Sequence, residues 1–339
     1  MTGAMTRRPK AFVADLAGFL MTGALLAVSA TPAAAQETIH LRAADIHDAG
    51  YPTVRGMQAL ADRLDVATDG RIRLQIYPGA QLGDERDMLE ITIFGGIDVS
   101  RTSMAPLNSI VPETGVFSLP FLFRSTEHMR HVLDGPIGEE ILASLAPHGL
   151  VGLAYYDAGA RSMYNTSHPI HSPADMAGMK VRVMNSEIFV DMIAALGGNA
   201  TPMGFGQVYE SLALGTIDGA ENNWPSFESS RHYEVAHHYS ITQHVMVPEV
   251  VVMSRYRWEQ LAPGDRALLR EAAKGSVAVM RRLWDERVAS SRDAIVAAGV
   301  NIVEDIDKQP FIDAMQPLYD EYLRDPALRS LVERIRAVR

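Results

Sequence analysis

The sequence contains no cysteine among its 339 residues, which excludes disulfide bonds, thiol nucleophiles and cysteine-ligated metal sites. It also lacks the G-x-S-x-G turn of hydrolases, the P-loop and the H-E-x-x-H zinc motif. The segment Gly204-Phe205-Gly206 has neither the third glycine nor the strand context of a dinucleotide-binding loop. We therefore expect a protein that is not an enzyme and that binds no cofactor.

Eleven histidines are present, but their spacing does not favour a metal site. His128 and His131 are one turn apart on a predicted surface helix, and the adjacent His237 and His238 point in different directions. Neither pair is accompanied by acidic residues or cysteines at ligand spacing. We expect no bound metal.

Long apolar runs are absent after the first 35 residues, so no later segment is expected to span a membrane. The early run AFVADLAGFLMTGALLAVSA follows the basic segment TRRPK and leads into TPAAAQ, which offers a cleavage site after Ala35. This order is typical of a secretory signal peptide, whereas Asp15 and the small-residue exit disfavour a membrane anchor. We predict that residues 1–35 are a cleaved signal peptide and that the mature protein is periplasmic. The arginine pair leaves the choice between Sec and twin-arginine export open.

Positive charge is scarce. Removing the three basic residues and one acidic residue of segment 1–35 from totals of 31 and 41 leaves 28 and 40, a net charge of −12. Such a protein is a poor partner for nucleic acids and anionic membranes. An anionic ligand would need a local positive site inside a negative protein.

Short apolar segments alternate with helical ones from Gln36 onward. TIHLRAAD, RIRLQIY and LVGLAYYD are strand-like, and the segments between them carry helical periodicity over ten or more residues. This alternation predicts βαβ units, mostly parallel sheets and an α/β fold. The chain length favours two domains.

Two segments share one pattern. GDERDMLEITIFGGIDVS and GFGQVYESLALGTIDGA both contain a glycine, a helix, Gly-x-Ile-Asp and a small residue. The echo indicates two lobes whose strand ends face a common cleft, where ligands bind in open α/β sheets. Residues 263–299 predict one helix of roughly 50 Å that crosses both lobes, with two helices broken at Gly275 as the alternative.

The stretch KVRVM (180–184) places an arginine near the end of a buried strand. Arg182 and Met184 share one side of the pleat, and a guanidinium can hold a carboxylate through two parallel hydrogen bonds, which lysine cannot. Arg161 follows LVGLAYYD, and Asn222 lies in DGAENNW at another predicted strand end. These residues are candidates for a carboxylate site, although an ion pair with an acidic side chain of the protein is the alternative for each arginine.

The run GARSMYN…PIHSPADMAGMKVRVMNSEIFVDMIAALGGNATPMGFGQVYESLALGTIDGAENN, with LPFLFRSTEHMRHVLDGPIGEEI before it, resembles the DctP-type solute-binding proteins of tripartite ATP-independent periplasmic (TRAP) transporters. The resemblance covers the whole predicted mature chain. It implies a two-lobed clamshell with hinge strands and a long helix spanning both lobes. It also implies that Arg182 forms the main salt bridge to a ligand carboxylate, completed by Arg161 and Asn222. The implied partners are a small organic acid and the small and large membrane subunits, and the implied receptor is a monomer.

A narrower similarity concerns the ligand. ADIHDAGYPTV, LGDERD, ENNWPSFESSRHYEVA and HVMVPEV resemble the members that bind hexuronates such as glucuronate and galacturonate. Hydrogen-bonding groups for the sugar hydroxyls would then come from His47, Glu85 and Glu249. We predict lobe I over 36–158 and about 247–286, and lobe II over 159–246 and about 287–339.

Other functions stay open at this point. A C4-dicarboxylate or a 2-keto acid is the alternative ligand, and a ligand-presenting partner of a membrane sensor is an alternative role for the same fold. A periplasmic enzyme acting on a sugar acid, with His47 and Glu85 as acid and base, is a further alternative that has no nucleophile, metal cage or cofactor loop to support it.

Overall fold

The computed structural model of the protein describes residues 38–339, so the predicted signal peptide lies outside the described residues. Strands alternate with helices as the sequence predicts. Within this range the strands are β1 (Ile39–Ala44), β2 (Ile72–Tyr77), β3 (Val99–Ser103), β4 (Leu150–Tyr156), β5 (Arg161–Asn165), β6 (Lys180–Val183), β7 (Asn199–Pro202), β8 (Gly219–Asn222), β9 (His238–Val245), β10 (Glu249–Ser254) and β11 (Asn301–Val303).

Twelve α-helices connect or flank these strands in the described part of the chain. They are α1 (Pro52–Ala67), α2 (Glu85–Ile93), α3 (Thr126–Asp134), α4 (Pro136–Ser144), α5 (Glu187–Ala195), α6 (Val208–Ala213), α7 (Trp224–Ser229), α8 (Arg255–Gln260), α9 (Pro263–Ala297), α10 (Gln309–Ala314), α11 (Gln316–Tyr322) and α12 (Pro326–Ala337). None of the described helices is both long and apolar enough to cross a bilayer.

The strands form two sheets, one in each lobe. The first sheet has the order β2-β1-β3-β10-β4, and the second has the order β11-β9-β5-β8-β6-β7. The chain passes between them at 157–160, where β4 leads to β5, and at 246–248, where β9 leads to β10. These two short connections lie where hinge segments between the lobes are predicted, although neither connection is itself a strand.

Within residues 38–339 both sheets are mixed, but one strand in each runs opposite to all the others, so the expectation of mostly parallel sheets holds for the remaining strands. β10 runs antiparallel to β3 and β4, and β5 runs antiparallel to β8 and β9. The remaining described ladders are parallel. The antiparallel direction of β5 and β10 follows from the short connections that precede them. Each of these strands enters its sheet directly from the other sheet, through three or four residues, and has no crossover helix that would make it parallel to its neighbours.

Helix α9 is one continuous element of 35 residues, which corresponds to roughly 52 Å at 1.5 Å per residue. The alternative of two helices broken at Gly275 is wrong. The helix packs against α1 and β4 in the first lobe and against α7 in the second. Its buried residues Met280 and Trp284 belong to the same apolar core as α1 and β1. The predicted two-lobed α/β fold with a spanning helix is confirmed.

The α1–α9 contact depends on a glycine. Gly56 is buried on α1, and a Cβ built there would lie 2.8 Å from the Met280 Cβ and 2.9 Å from the Tyr156 ring. The two helix backbones therefore approach too closely for any side chain at this position.

Gly56→Ala is expected to lower the free energy of unfolding by about 1–3 kcal/mol, because overpacking outweighs the better helix propensity of alanine. Denaturant titration checks this. The matched control is Gly264→Ala on α9, where a Cβ meets no atom within 4 Å and the change should stay within about 1 kcal/mol. Equal stability of the two variants would contradict the close contact.

Candidate functional site

A cavity lies where the strand ends of the two sheets meet. β1 and β3 end there and β10 begins there in the first sheet, while β6 and β8 end and β5 begins in the second. The cavity encloses about 310 Å³ of empty space, a figure that includes space open to solvent. It is lined by Ile46, His47, Glu85, Arg101, Ser103, Arg161, Arg182, Met184, Phe205, Asn222, Asn223, Ser226 and Glu249.

The structure brings all seven of the predicted ligand-binding residues to this cavity. His47, Glu85 and Glu249 come from the first lobe, and the second lobe supplies Arg161, Arg182, Met184 and Asn222. Sequence reasoning missed two residues of the lining that define its chemistry, Arg101 and Phe205. The role of each residue toward a ligand stays a prediction.

Arg182 carries an unpaired positive charge. Its side chain is buried, and Nε and Nη2 donate to the Met203 carbonyl at 3.1 and 2.8 Å. Among residues 38–339 it is the one arginine of the cavity lining with no carboxylate oxygen within 4.0 Å. Burial lowers the pKa of Arg182, although the nearby Glu221 carboxylate opposes this shift. Within the described residues the Arg182 guanidinium therefore has no anionic partner, and the anion of a bound ligand could take that place.

Arg161 is paired with the protein itself. Its Nε and Nη2 donate to the two carboxylate oxygens of Glu221 at 2.5 and 2.8 Å, and Nη1 donates to Asn222 Oδ1 at 2.9 Å. Burial alone would raise the pKa of Glu221, but the charge and hydrogen bonds of Arg161 lower it to about 2. The alternative of an internal ion pair thus applies to Arg161. Asn222 Oδ1 accepts from Arg161 and from the Asn223 backbone N–H, which leaves the amide nitrogen of Asn222 as the group that can donate to a ligand.

The first lobe holds a buried cluster around Arg101. Nε of this arginine donates to Asp45 Oδ2 at 2.9 Å and Nη2 to the other Asp45 oxygen. Nη1 donates to Glu249 Oε2 at 2.6 Å and to Glu85 Oε1 at 3.0 Å. One guanidinium with no solvent exposure therefore organises three carboxylates. The repeated Gly-x-Ile-Asp pattern could have identified Arg101 from the sequence, because Arg101 and Glu221 each stand three residues after the shared aspartate.

Glu249 is the carboxylate whose ionisation is least favourable. Burial raises its pKa, and the neighbouring Glu85 and Asp45 charges add to this against the opposing effect of Arg101, so that the pKa reaches about 7. A group in this range can bind ligand atoms either as a hydrogen-bond acceptor or, when protonated, as a donor.

His47 and Phe205 meet across the two lobes. The His47 ring stacks on Tyr51 with 3.7 Å between centroids, and Phe205 lies edge-on to it at 5.5 Å. The Phe205 ring also lies 5.9 Å from the Arg182 guanidinium carbon. Burial, with Arg101 and Arg161 nearby, holds the pKa of His47 well below its usual range, so the imidazole is neutral and offers one donor and one acceptor.

The described part of the chain contains no set of side chains arranged to bind a metal ion. Residues 38–339 contain no group of three or more His, Cys, Asp or Glu residues placed to hold a metal ion. His128 Nε2 bonds the Ile335 carbonyl, and His131 Nδ1 bonds the carbonyl of Arg339. These two histidines tie α3 to the C-terminal segment.

Comparisons with known proteins agree with this architecture. The family model of bacterial extracellular solute-binding proteins, family 7 (DctP), matches residues 43–325. A solute-binding protein of Chromohalobacter salexigens is 44% identical over 313 residues, which cover 92% of this chain and 93% of the relative.

Solved structures of TRAP periplasmic solute-binding proteins are also similar. One from a Bradyrhizobium species, in complex with α/β-D-galacturonate, is 52% identical with a TM-score of 0.86 over 88% of this chain and 99% of that one. One from Roseobacter denitrificans with bound β-D-glucuronate is 45% identical with a TM-score of 0.86 over 88% and 100%. The chain belongs to the DctP family, the extracellular solute receptors of TRAP transporters, and is not an enzyme.

Proposed function

We propose that this protein captures a hexuronate, either glucuronate or galacturonate, between its two lobes and presents it to TRAP membrane subunits. The observation that carries the proposal is the unpaired Arg182 guanidinium in an interlobe cavity that is otherwise rich in hydrogen-bonding groups. Ligands of this class occupy the similar structures from Bradyrhizobium and Roseobacter denitrificans.

The second lobe supplies the carboxylate end of the site. Nη1 of Arg182 makes no hydrogen bond within residues 38–339, and the Asn222 amide and the remaining Nη1 hydrogen of Arg161 lie on the same wall. Together they give a carboxylate one cation and two further donors. Enclosure strengthens this contact, because water is excluded and the effective dielectric constant is low.

The first lobe supplies the hydroxyl end. Glu85, Glu249 and His47 offer acceptors and exchangeable donors, which suit the several hydroxyls of a sugar acid. The second carboxylate of a C4-dicarboxylate would instead meet Glu85 and Glu249 with the Arg101 charge already shared among three carboxylates. This arrangement disfavours dianions. The apolar faces of Met184 and Phe205 fit the C–H surface of the sugar ring.

Capture by closure follows from the division of these groups. A ligand that bonds both lobes at once stabilises the closed state over the open one. We place lobe I at 36–158 and about 247–286, and lobe II at 159–246 and about 287–339, supported by the crossings at 157–160 and 246–248. Helix α12 is an exception, because it packs against α4 and the segment 112–118 of the first lobe.

The cellular setting is part of the same proposal. The DctP family consists of extracellular receptors, and we propose that this member reaches the periplasm through a signal peptide cleaved after Ala35. It would act there as a monomer that alternates between free solution and the membrane subunits.

A thermal-shift screen tests the ligand class. D-glucuronate and D-galacturonate at a hundredfold excess over Kd are expected to stabilise the folded state by about 2.7 kcal/mol, since stabilisation equals RT ln(1 + [L]/Kd). Gluconate, succinate, malate and a 2-keto acid serve as comparison ligands in the same plate. Stabilisation by succinate or malate with none by either uronate would overturn the proposal.

A further inference from the structure

Two carboxylates of the cavity share one nitrogen atom. Glu249 begins β10 and Glu85 begins α2, and both accept a hydrogen bond from Arg101 Nη1, at 2.6 and 3.0 Å. Glu85 Oε1 also accepts from the Ser103 backbone N–H at 3.0 Å. Glu249 has no such additional donor within the described residues, although it is buried. Of the two, Glu249 is therefore the less well compensated anion.

The surroundings of Glu249 are crowded with charge. Arg101 comes from β3, Glu85 from α2, Asp45 from the end of β1, and Arg161 from β5 in the other lobe. The titratable and charged groups that face it are Arg101, Glu85, Asp45, Tyr51 and Arg161, with His47 on the same cavity wall.

The charge count of the closed site is unfavourable for an anion. Three guanidinium groups, Arg101, Arg161 and Arg182, are matched by four carboxylates, Asp45, Glu85, Glu221 and Glu249. A bound uronate would add a fifth negative charge to three positive ones in a site without bulk water. Unbalanced buried charge is costly, and a titratable group in that position takes up a proton instead.

We propose that Glu249 is protonated when the sugar acid binds, so that the receptor captures its ligand together with one proton. As a neutral acid Glu249 donates a hydrogen bond to an oxygen of the ligand, and the proton comes from solvent. This inference rests on the proposed function, because it assumes a monoanionic ligand with hydroxyl groups. It makes Glu249 a hydrogen-bond donor to the ligand, whereas Glu85 stays an ionised acceptor.

The expected pH range follows from linkage. Burial and the neighbouring carboxylates raise the pKa of Glu249 to about 7 in the enclosed site, and the added negative charge of a bound uronate raises it further. Below the first value Glu249 is protonated in both states, and above the second it is ionised in both. Between these two pKa values, a rise of one pH unit increases Kd by up to about tenfold, which is the limit for uptake of one proton. An ordinary carboxylic acid ligand is itself ionised throughout this range.

Isothermal titration calorimetry of the wild-type protein with D-galacturonate and with D-glucuronate tests the inference. Titrations at pH 6, 7 and 8 in two buffers of different ionisation enthalpy give the number of protons taken up. We expect an uptake that approaches one proton above pH 7, and a Kd several-fold weaker at pH 8 than at pH 6. Binding with no proton uptake and the same Kd at all three pH values would overturn this inference and leave the proposed function standing. If neither uronate binds, the proposed function itself fails.

Two variants assign the proton to its residue. Glu249→Gln is expected to abolish the uptake and to make Kd equal at pH 6 and pH 8. Glu85→Gln removes a charge that raises the Glu249 pKa, so proton uptake should persist but move to lower pH. Continued uptake in Glu249→Gln at the wild-type pH would overturn the assignment. The wild-type titrations remain decisive if either variant fails to fold.

Discussion

Replacing Arg182 with methionine is expected to weaken hexuronate binding by about 3–5 kcal/mol, the usual cost of removing one partner from a buried ion pair. This corresponds to roughly a 150- to 4,000-fold increase in Kd. Methionine keeps most of the side-chain volume but cannot bond the ligand carboxylate. Titration calorimetry with D-galacturonate measures the effect. An unchanged Kd would show that the carboxylate binds elsewhere.

The same variant separates binding from folding. Because Arg182 is buried without a carboxylate partner in residues 38–339 and burial lowers its pKa, its charge opposes folding when no ligand is present. The free energy of unfolding of the ligand-free variant is therefore expected to lie within about 1 kcal/mol of the wild-type value. Replacing buried charges by apolar residues of similar volume often has such a small effect. Arg292→Ala, which removes an exposed pair with Glu304, is the control and should leave Kd unchanged.

Much of the fold could be predicted because it depends on local patterns. The helical periodicity of 263–299 is continuous, and it appears as one helix, Pro263–Ala297. The direction of β5 and β10 could not be predicted, because it depends on which sheet each strand joins after a short connection. That choice is a long-range property of the packed core, and neither EVVVMS nor RSMYN carries a signal for it.

The site was predictable to the extent that it sits at strand ends. Arg182 was identified because an arginine near the end of a buried strand can hold a carboxylate through two hydrogen bonds, and its side chain is indeed buried at the cavity. The partner of Arg161 was not identified, because Glu221 lies 60 residues away on a neighbouring strand. Contacts at that separation follow from sheet order and not from sequence spacing.

The echo between the lobes carries more information than its sequence identity indicates. Asp98 and Asp218 each accept a hydrogen bond at 2.7 Å from the backbone N–H of a neighbouring strand, through Arg42 and Lys180. Three residues further on, the first lobe has Arg101 and the second has Glu221. Each pairs with a residue of opposite charge at the start of the one described antiparallel strand of its sheet, Glu249 in β10 and Arg161 in β5.

The two lobes therefore present the same framework with the charges exchanged. In the second lobe the charged residue three positions after the shared aspartate is the carboxylate Glu221, which pairs with Arg161. Arg182 is therefore left free for a ligand anion. In the first lobe the residue at the same position is the guanidinium of Arg101, which holds the carboxylates of Glu85 and Glu249 at the cavity wall. A ligand with an acid group at one end and hydroxyls at the other matches this polarity, which neither lobe could provide alone.

Arg101→Met is expected to destabilise the ligand-free protein strongly, because Asp45, Glu85 and Glu249 would face one another without their shared cation. Leaving uncompensated charge in a buried site lowers the free energy of unfolding by about 3–5 kcal/mol at pH 7. Denaturant titration of the ligand-free protein measures it. Hexuronate binding should be lost as well, since two of these carboxylates line the cavity.

The pH dependence distinguishes this electrostatic effect from simple loss of packing. Without Arg101 the folded state must hold protons on its carboxylates that the unfolded chain releases, so the variant becomes less stable as pH rises. Its deficit relative to the wild type should therefore be smaller at pH 5 than at pH 8, and a second change, Glu249→Gln, should recover part of it. A cavity or a packing defect would give the same deficit at both pH values and no recovery. That result would mean that Arg101 acts mainly by filling space and that the first lobe does not depend on charge to orient its acceptors.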